Sequence, residues 1–145
     1  MAPWDACDGA VTPGNKLFSM HDALIQQGTT GHIIGAFFDV YFALGFGFLE
    51  HVYSLALERE LMERGRLVGR EVSIPIFYKG AALTSQRVDM IVDERVVVEI
   101  KSTYALPPTA KRQTLNYLRS TNLEVALILH FGPEPKFHRL VQSNR

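Results

Sequence analysis

The sequence predicts an α/β fold, in which a small mixed β-sheet carries helices packed against it. Two stretches with a helical spacing of apolar residues come first. Three strand-like runs, a helix and two short strand-like runs follow them. Hydrophobic residues make up 47% of the chain and charged residues 21%, which is typical of one globular domain. The 145 residues are enough to bury a core without cross-links.

Two helices are predicted before the sheet. The first is expected to be capped by Thr29-Thr30 and to end near Leu44-Gly45. The second follows Gly47 and is expected to end at Gly65. The apolar positions of the second helix are Leu49, Val52, Tyr53, Leu55, Ala56, Leu57 and Leu61.

The strand-like runs are bounded by turn residues. Arg70–Tyr78 contains Pro75, which is typical of an edge strand or a bulge. Leu83–Val92 and Val96–Lys101 flank Asp93-Glu94-Arg95 and are expected to form a β-hairpin. The remaining predicted elements are a helix at Thr109–Ser120, a strand buried on both faces at Val125–Phe131, and an edge strand at Phe137–Val141.

The amino-terminal region differs from the rest. Residues 1–28 have little periodicity and several Pro and Gly residues, so we expect a loosely ordered leader, with one short helical turn at Ser19–Gln27, before a domain at residues 29–145. Cys7 is the only cysteine, which favours a reducing, cytoplasmic setting. No apolar run is long enough to span a membrane, and no nucleotide-binding P-loop motif occurs. We expect no signal peptide, because the stretch MAPWDACDGA lacks a basic start followed by an apolar run.

The charges are unevenly distributed although the formal net charge is zero. From Ile100 onward there are seven bases and two acids, whereas the first 99 residues hold eight bases and thirteen acids. Zero net charge argues against strong, non-specific nucleic-acid binding by the whole surface. The basic part is suited to phosphate binding, and scattered solvated charges are the alternative.

Three charged side chains are predicted to converge on the hairpin. If residues 93–95 form its loop, Asp89 lies opposite Glu99, and such side chains are about 4.5–5.5 Å apart. Two carboxylates this close repel each other unless a proton or a cation lies between them. Lys101 points to the same face as Glu99 because side chains alternate along a strand. This patch suits Mg²⁺ or Mn²⁺ together with a phosphate.

The alternative without a functional role is that Glu99 and Lys101 lie on a solvated strand face and Asp89 is a surface acid near a turn. The apolar residues Val96, Val97, Val98 and Ile100 make the second hairpin strand look central, and charges are rarely buried in a central strand without a purpose. The five histidines show no metal-ligand spacing. We therefore favour the metal site.

The hairpin pattern Asp-x(n)-Glu-x-Lys, followed by a helix, resembles the PD-(D/E)xK nuclease superfamily. Gly47, Glu50 and Tyr53 match the motif that names the GxxExxY family within it. The resemblance covers roughly residues 30–141 and continues through five segments: Tyr78-Lys79-Gly80, Arg87-Val88-Asp89, Val98-Glu99-Ile100-Lys101, Gln113-Thr114-Leu115-Asn116-Tyr117-Leu118 and Phe131-Gly132. The chain departs from the family at Tyr41 and Phe46, where members often carry His and Pro, and from the superfamily at Val88, where Pro is usual.

The resemblance implies a restriction-endonuclease-like core and a metal-dependent nuclease that hydrolyses phosphodiester bonds in DNA rather than RNA. It implies that Glu50 reaches the site from the second helix and that Gln113 points at it. The expected ligands of Mg²⁺ or Mn²⁺ are Asp89, Glu99, Glu50 and the Ile100 carbonyl, and the expected catalytic residues are Asp89, Glu99, Lys101 and Gln113. Lys101 would position the attacking water or stabilise the phosphorane.

Two alternatives stay open. One is a non-catalytic nucleic-acid-binding or protein-interaction module that keeps the nuclease fold. The other adds a homodimer through the first helix, because this region holds more aromatic residues than one small core needs. These residues are Phe37, Phe38, Tyr41, Phe42, Phe46 and Phe48.

Overall fold

The structure is a computed structural model that describes residues 26–143. The predicted leader, residues 1–28, and the helical turn predicted at Ser19–Gln27 lie almost entirely outside the described residues. Gln26–Thr30 form one π-helical turn. The elements after it are α1 (Gly31–Leu44), α2 (Glu50–Glu63), β1 (Val68–Tyr78), β2 (Ala81–Val92), β3 (Val96–Lys101), α3 (Ala110–Arg119), β4 (Val125–Phe131) and β5 (Pro135–Val141).

The five strands form one mixed sheet in the order β1-β2-β3-β4-β5. Only β3 and β4 pair in parallel, because α3 carries the chain back across the sheet between them. The α/β fold class predicted from the sequence is therefore confirmed. β4 is buried at every residue, and Pro75 lies on the edge strand β1, both as predicted. In the described part of the chain, no helix is long and apolar enough to cross a membrane.

Two apolar clusters cover the two faces of the sheet. The larger one contains α1, α2 and the side chains of Val96, Val98 and Ile100 on β3. The smaller one contains Val97 of β3 together with apolar residues of α3, β4 and β5. Because side chains alternate along a strand, Glu99 and Lys101 belong to the face that Val97 and α3 occupy.

Two sequence predictions about the helices are wrong. Thr30 precedes α1 but has helical dihedral angles and makes no side-chain cap, and the Thr29 hydroxyl instead donates to Asp93 Oδ2 at 2.7 Å. Leu49 and Leu55, assigned to the apolar stripe of α2, are 80% and 42% exposed. Contacts between distant segments decide both outcomes. Thr29 bonds to Asp93, 64 residues away, and α2 buries only a narrow stripe of its surface against the core.

The predicted dimer through α1 stays a prediction. Phe37 and Phe38 are buried within the chain's own core, and Tyr41 donates to the Gly132 carbonyl at 2.7 Å. Phe42, by contrast, is 67% exposed.

Asp93 fixes the loop of the β2–β3 hairpin to the start of the sheet. Its carboxylate accepts hydrogen bonds from the Thr29 hydroxyl, from the Leu67 amide at 3.0 Å and from Arg66 at 3.2 Å. Its own amide donates to the Leu67 carbonyl at 2.7 Å. Burial alone would raise the pKa of Asp93, but these hydrogen bonds and the Arg66 charge hold it below its usual range.

Replacing Asp93 by Ala should lower the free energy of unfolding by about 1–3 kcal/mol, because three donors lose their acceptor. Urea unfolding measures the change. Glu94→Ala is a matched control, because Asp93 and Glu94 both have φ of 54° and Glu94 is exposed. Equal losses in the two variants would assign the effect to the loop backbone and not to the Asp93 hydrogen bonds.

Candidate active site

The β2–β3 hairpin brings Asp89 and Glu99 together. Its ladder pairs Val92 with Val96 and ends at Met90 with Val98. At the next residues, Asp89 and Glu99, side-chain carboxylate oxygens accept the hydrogen bonds of backbone amides in place of backbone carbonyls. Asp89 Oδ2 accepts from the Ile100 amide at 2.7 Å, and Glu99 Oε1 accepts from the Asp89 amide at 3.1 Å. The two carboxyl groups therefore lie next to each other at the end of the ladder.

Burial makes this pair electrostatically costly. Glu99 is only 7% exposed, and burial together with the charge of Asp89 raises its pKa to about 8. Burial also raises the pKa of Asp89, against the hydrogen bond from the Ile100 amide, and the charge of Glu50 adds to the increase. Two adjacent carboxyl groups in this setting hold a proton, or a cation takes its place.

Lys101 supplies a positive charge on the same sheet face as Glu99. It is half-buried, and its charge lowers the pKa of both Asp89 and Glu99. Within residues 26–143, no ion pair of 4 Å or less joins Lys101 to either carboxylate. Lys101 thus lies near the pair without neutralising it by direct contact.

Tyr117 and Gln113, both on α3, differ in their relation to the site. The pKa of Tyr117 is raised by burial first and then by the charges of Glu99 and Asp89, so its hydroxyl lies within their field. Gln113 is exposed, and in the described part of the chain no hydrogen bond joins its side chain to Asp89, Glu99 or Lys101.

Glu50 approaches the pair from α2, which packs on the opposite face of the sheet from α3. It is the exposed first residue of α2, and its Oε2 accepts a long hydrogen bond of 3.4 Å from the Ser102 amide. Glu50, Asp89 and Ile100 line one open cleft of about 220 Å³. The other residues of this cleft are His51, Ser54, Arg70 and Glu71. Glu99 lies outside this lining, directed at the Asp89 amide.

Tyr53 fixes the loop that precedes Glu50. Its buried ring stacks on Phe131 with the ring centroids 4.0 Å apart. Its hydroxyl donates to the Gly45 carbonyl and accepts from the Phe48 amide at 3.3 Å. Gly45 and Gly47 have φ of 73° and 115°, which side-chain-bearing residues rarely adopt. Tyr53 therefore holds the start of α2, and with it Glu50, in place.

Sequence reasoning missed Glu71. This acid lies in β1 with φ of 53°, at a gap in the β1–β2 register between the pairs Arg70–Met90 and Val72–Val88. Its charge contributes to the raised pKa of Asp89, and Arg87 pairs with it at 3.1 Å. The sequence offers no signal for it, because only the register of β1 against β2 places it across from Asp89.

The donors present fit a hard divalent cation in type and in charge. Asp89 and Glu99 offer carboxylate oxygens whose mutual repulsion a cation relieves, and Mg²⁺ and Mn²⁺ prefer oxygen ligands. Within residues 26–143, no three His, Cys, Asp or Glu side chains form a ready-made metal cluster. Glu50 accordingly does not complete a three-carboxylate cage with the pair.

Comparison with known proteins identifies the class. A model of the PD-(D/E)XK nuclease superfamily matches residues 27–140, and the chain belongs to that superfamily. The match does not extend to the narrower GxxExxY assignment. Members of the superfamily generally use divalent metals.

The fold has a counterpart among solved structures. The crystal structure of SSO0001 is similar, with a TM-score of 0.52 and 19% sequence identity. The similarity covers 83% of this chain and 61% of that one, so this chain spans about three fifths of its length. At this level of identity the likeness concerns the fold alone. No curated protein matches the chain.

Without divalent cations, the free energy of unfolding should fall as the pH rises from about 5 to 8. The pKa of Glu99 is about 8 when folded and 4.5 ordinarily, so the folded state binds more protons in this window, and stability decreases with pH. Urea unfolding in EDTA measures the slope. Glu99→Gln should reduce the slope and Glu94→Gln should not. An unchanged slope in Glu99→Gln would contradict the raised pKa.

Proposed function

We propose that this protein is a metal-dependent nuclease that hydrolyses phosphodiester bonds, with DNA as substrate in preference to RNA. The observation that carries the proposal is the pair of buried Glu99 and half-buried Asp89, which needs a cation or a proton and has Lys101 on the same sheet face as Glu99. Superfamily membership supports it. The proposal includes a catalytic domain at residues 29–145 and, since Cys7 is the only cysteine, a reducing cytoplasmic setting.

Asp89, Glu99 and the Ile100 carbonyl would hold Mg²⁺ or Mn²⁺, with Glu50 joining from the start of α2. A bound ion of this kind lowers the pKa of a water and offsets charge on a phosphate.

The chain's own residues supply positioning and charge. The Ile100 and Asp89 amides orient the two carboxylates through hydrogen bonds, so the ligand oxygens are arranged before any substrate arrives. Lys101 has no carboxylate within 4 Å in the described residues, which leaves its ammonium available to orient the attacking water or to offset charge on the phosphate. Gln113 would assist by holding a water or a phosphate oxygen.

Cleavage of single- and double-stranded DNA with Mn²⁺ tests this function. Asp89→Ala and Lys101→Ala should each lower the rate by about a hundredfold or more, because one removes a ligand and the other a positioned charge. Glu94→Ala and Lys79→Ala are matched controls that remove exposed charges of the same sign elsewhere. Equal activity in wild type and both site variants would remove the assignment.

Calorimetric titration with Mn²⁺ distinguishes the nuclease from the rival function, a non-catalytic module. The nuclease proposal expects binding in the wild type, proton release near pH 7 because the pKa of Glu99 is about 8, and loss of binding in Glu99→Ala. Glu94→Ala should bind as the wild type does. Absence of binding in the wild type would favour the module.

A further inference from the structure

A second cleft, of about 500 Å³, lies between the segment 104–106 and the strands β4 and β5. Its lining includes Tyr104, His130, Lys136 and His138. None of these residues belongs to the acidic pair described above. The cleft thus needs an explanation of its own.

The strand register places this cleft beside the acidic pair. Lys101 pairs with His130 across β3 and β4, and His130 pairs with Lys136 across β4 and β5. One step back, Glu99 pairs with Ile128, which pairs with His138. Directly paired residues project to the same side of a sheet. Neighbouring strands are about 4.8 Å apart, so the backbone of His138 lies about 10 Å from that of Glu99, on the same face.

Two lysines lie in or near the cleft. Lys136 is exposed within it, and Lys111 comes close from the start of α3. The pKa of His138 falls to about 4 because burial disfavours its charged ring and because Lys111, His130 and Lys136 repel an added proton. Glu134 also lines the cleft and offsets part of this charge. A phosphate group would complement the cationic side.

Tyr104 gives the cleft an aromatic surface on an anchored loop. It is 81% exposed, whereas the carbonyl of the preceding residue, Thr103, bonds to His130 Nε2 at 2.8 Å. The Thr103 hydroxyl donates to the Ala105 carbonyl at 2.7 Å, which closes the turn around Tyr104. An exposed aromatic ring beside lysines is the arrangement that binds unpaired nucleotides, through base stacking and phosphate contact.

We propose that this cleft binds an unpaired nucleotide adjoining the cleaved phosphodiester, with Tyr104 stacked on its base and Lys136 at its phosphate. The inference rests on the proposed nuclease function and specifies its substrate. A base inside a duplex is already stacked on both sides, so Tyr104 can stack only on a base that has left the helix. The protein therefore acts on single-stranded DNA or on frayed and flapped ends in preference to intact duplex.

Fluorescence polarisation of a labelled single-stranded oligothymidine, in EDTA to prevent cleavage, tests the cleft. Tyr104→Ala should weaken binding by about tenfold, and Tyr104→Phe should bind as the wild type does, because it keeps the ring. Tyr78→Ala is the matched control, since Tyr78 is an aromatic residue 60% exposed on the β1–β2 hairpin. A duplex of equal length should bind Tyr104→Ala as it binds the wild type.

The charged residues give a second measurement. Lys136→Ala should reduce the slope of log affinity against log salt by about 0.7, the value for one single-strand phosphate contact. Glu134→Gln should tighten binding, because it removes the opposing charge. An unchanged slope in Lys136→Ala would overturn the phosphate contact.

These experiments can refute the proposed nucleotide cleft and the proposed nuclease function separately. Wild-type single-strand affinity in Tyr104→Ala, or an equal loss on duplex, overturns the cleft even if the protein cleaves DNA. An inactive wild type whose binding still depends on Tyr104 overturns the nuclease and leaves the cleft as a single-strand binding site.

Discussion

The repulsion between a buried carboxyl group, that of Glu99, and the half-buried one of Asp89 is the constraint on which the rest of this structure depends. Burial raises the pKa of both Asp89 and Glu99, and the charge of Asp89 raises that of Glu99 further, so in an unconstrained chain the two carboxyl groups would separate. The amides of Ile100 and Asp89 hold them at the end of a hairpin ladder instead. Folding thus holds two acidic groups together at a defined point, where a proton or a cation would relieve their repulsion.

Apolar packing on the sheet offsets the free-energy cost of holding this acidic pair together. β3 is its central strand, and its valines and Ile100 are fully buried on both faces by α1, α2 and α3. Hydrophobic burial along these strands contributes roughly 25 cal/mol per Å² of apolar surface, far more in sum than one repelling pair costs. The parallel β3–β4 step has a further effect, since it sets Lys101 beside His130 and extends the polar face toward β5. One strand register therefore connects the acidic pair with the cleft that contains Lys136.

The approach of α2 is fixed separately from the sheet. Tyr53 stacks on Phe131 of β4 and bonds to the loop that contains Gly45, so the start of α2 is tied to the core and not to the acids. Glu50 can then lie near Asp89 without a direct contact that would compete with a ligand. Glu71 reaches the same cleft through a local irregularity of β1 and is held by arginines. The acids at this site thus come from four elements, the neighbouring strands β1, β2 and β3 and the helix α2.

The sequence by itself determined the element order, the central position of β3, the edge position of β1 through Pro75, and the hairpin that sets Asp89 against Glu99. These follow from apolar periodicity and turn residues, which are local properties of the chain. Only the tertiary structure decided that Thr29 bonds to Asp93 and does not cap a helix, that Gln113 stays exposed, that Glu71 lines the cleft of Asp89, and that Tyr104 lines the second cleft. Those outcomes depend on strand register and on contacts between distant segments, and no local pattern encodes them.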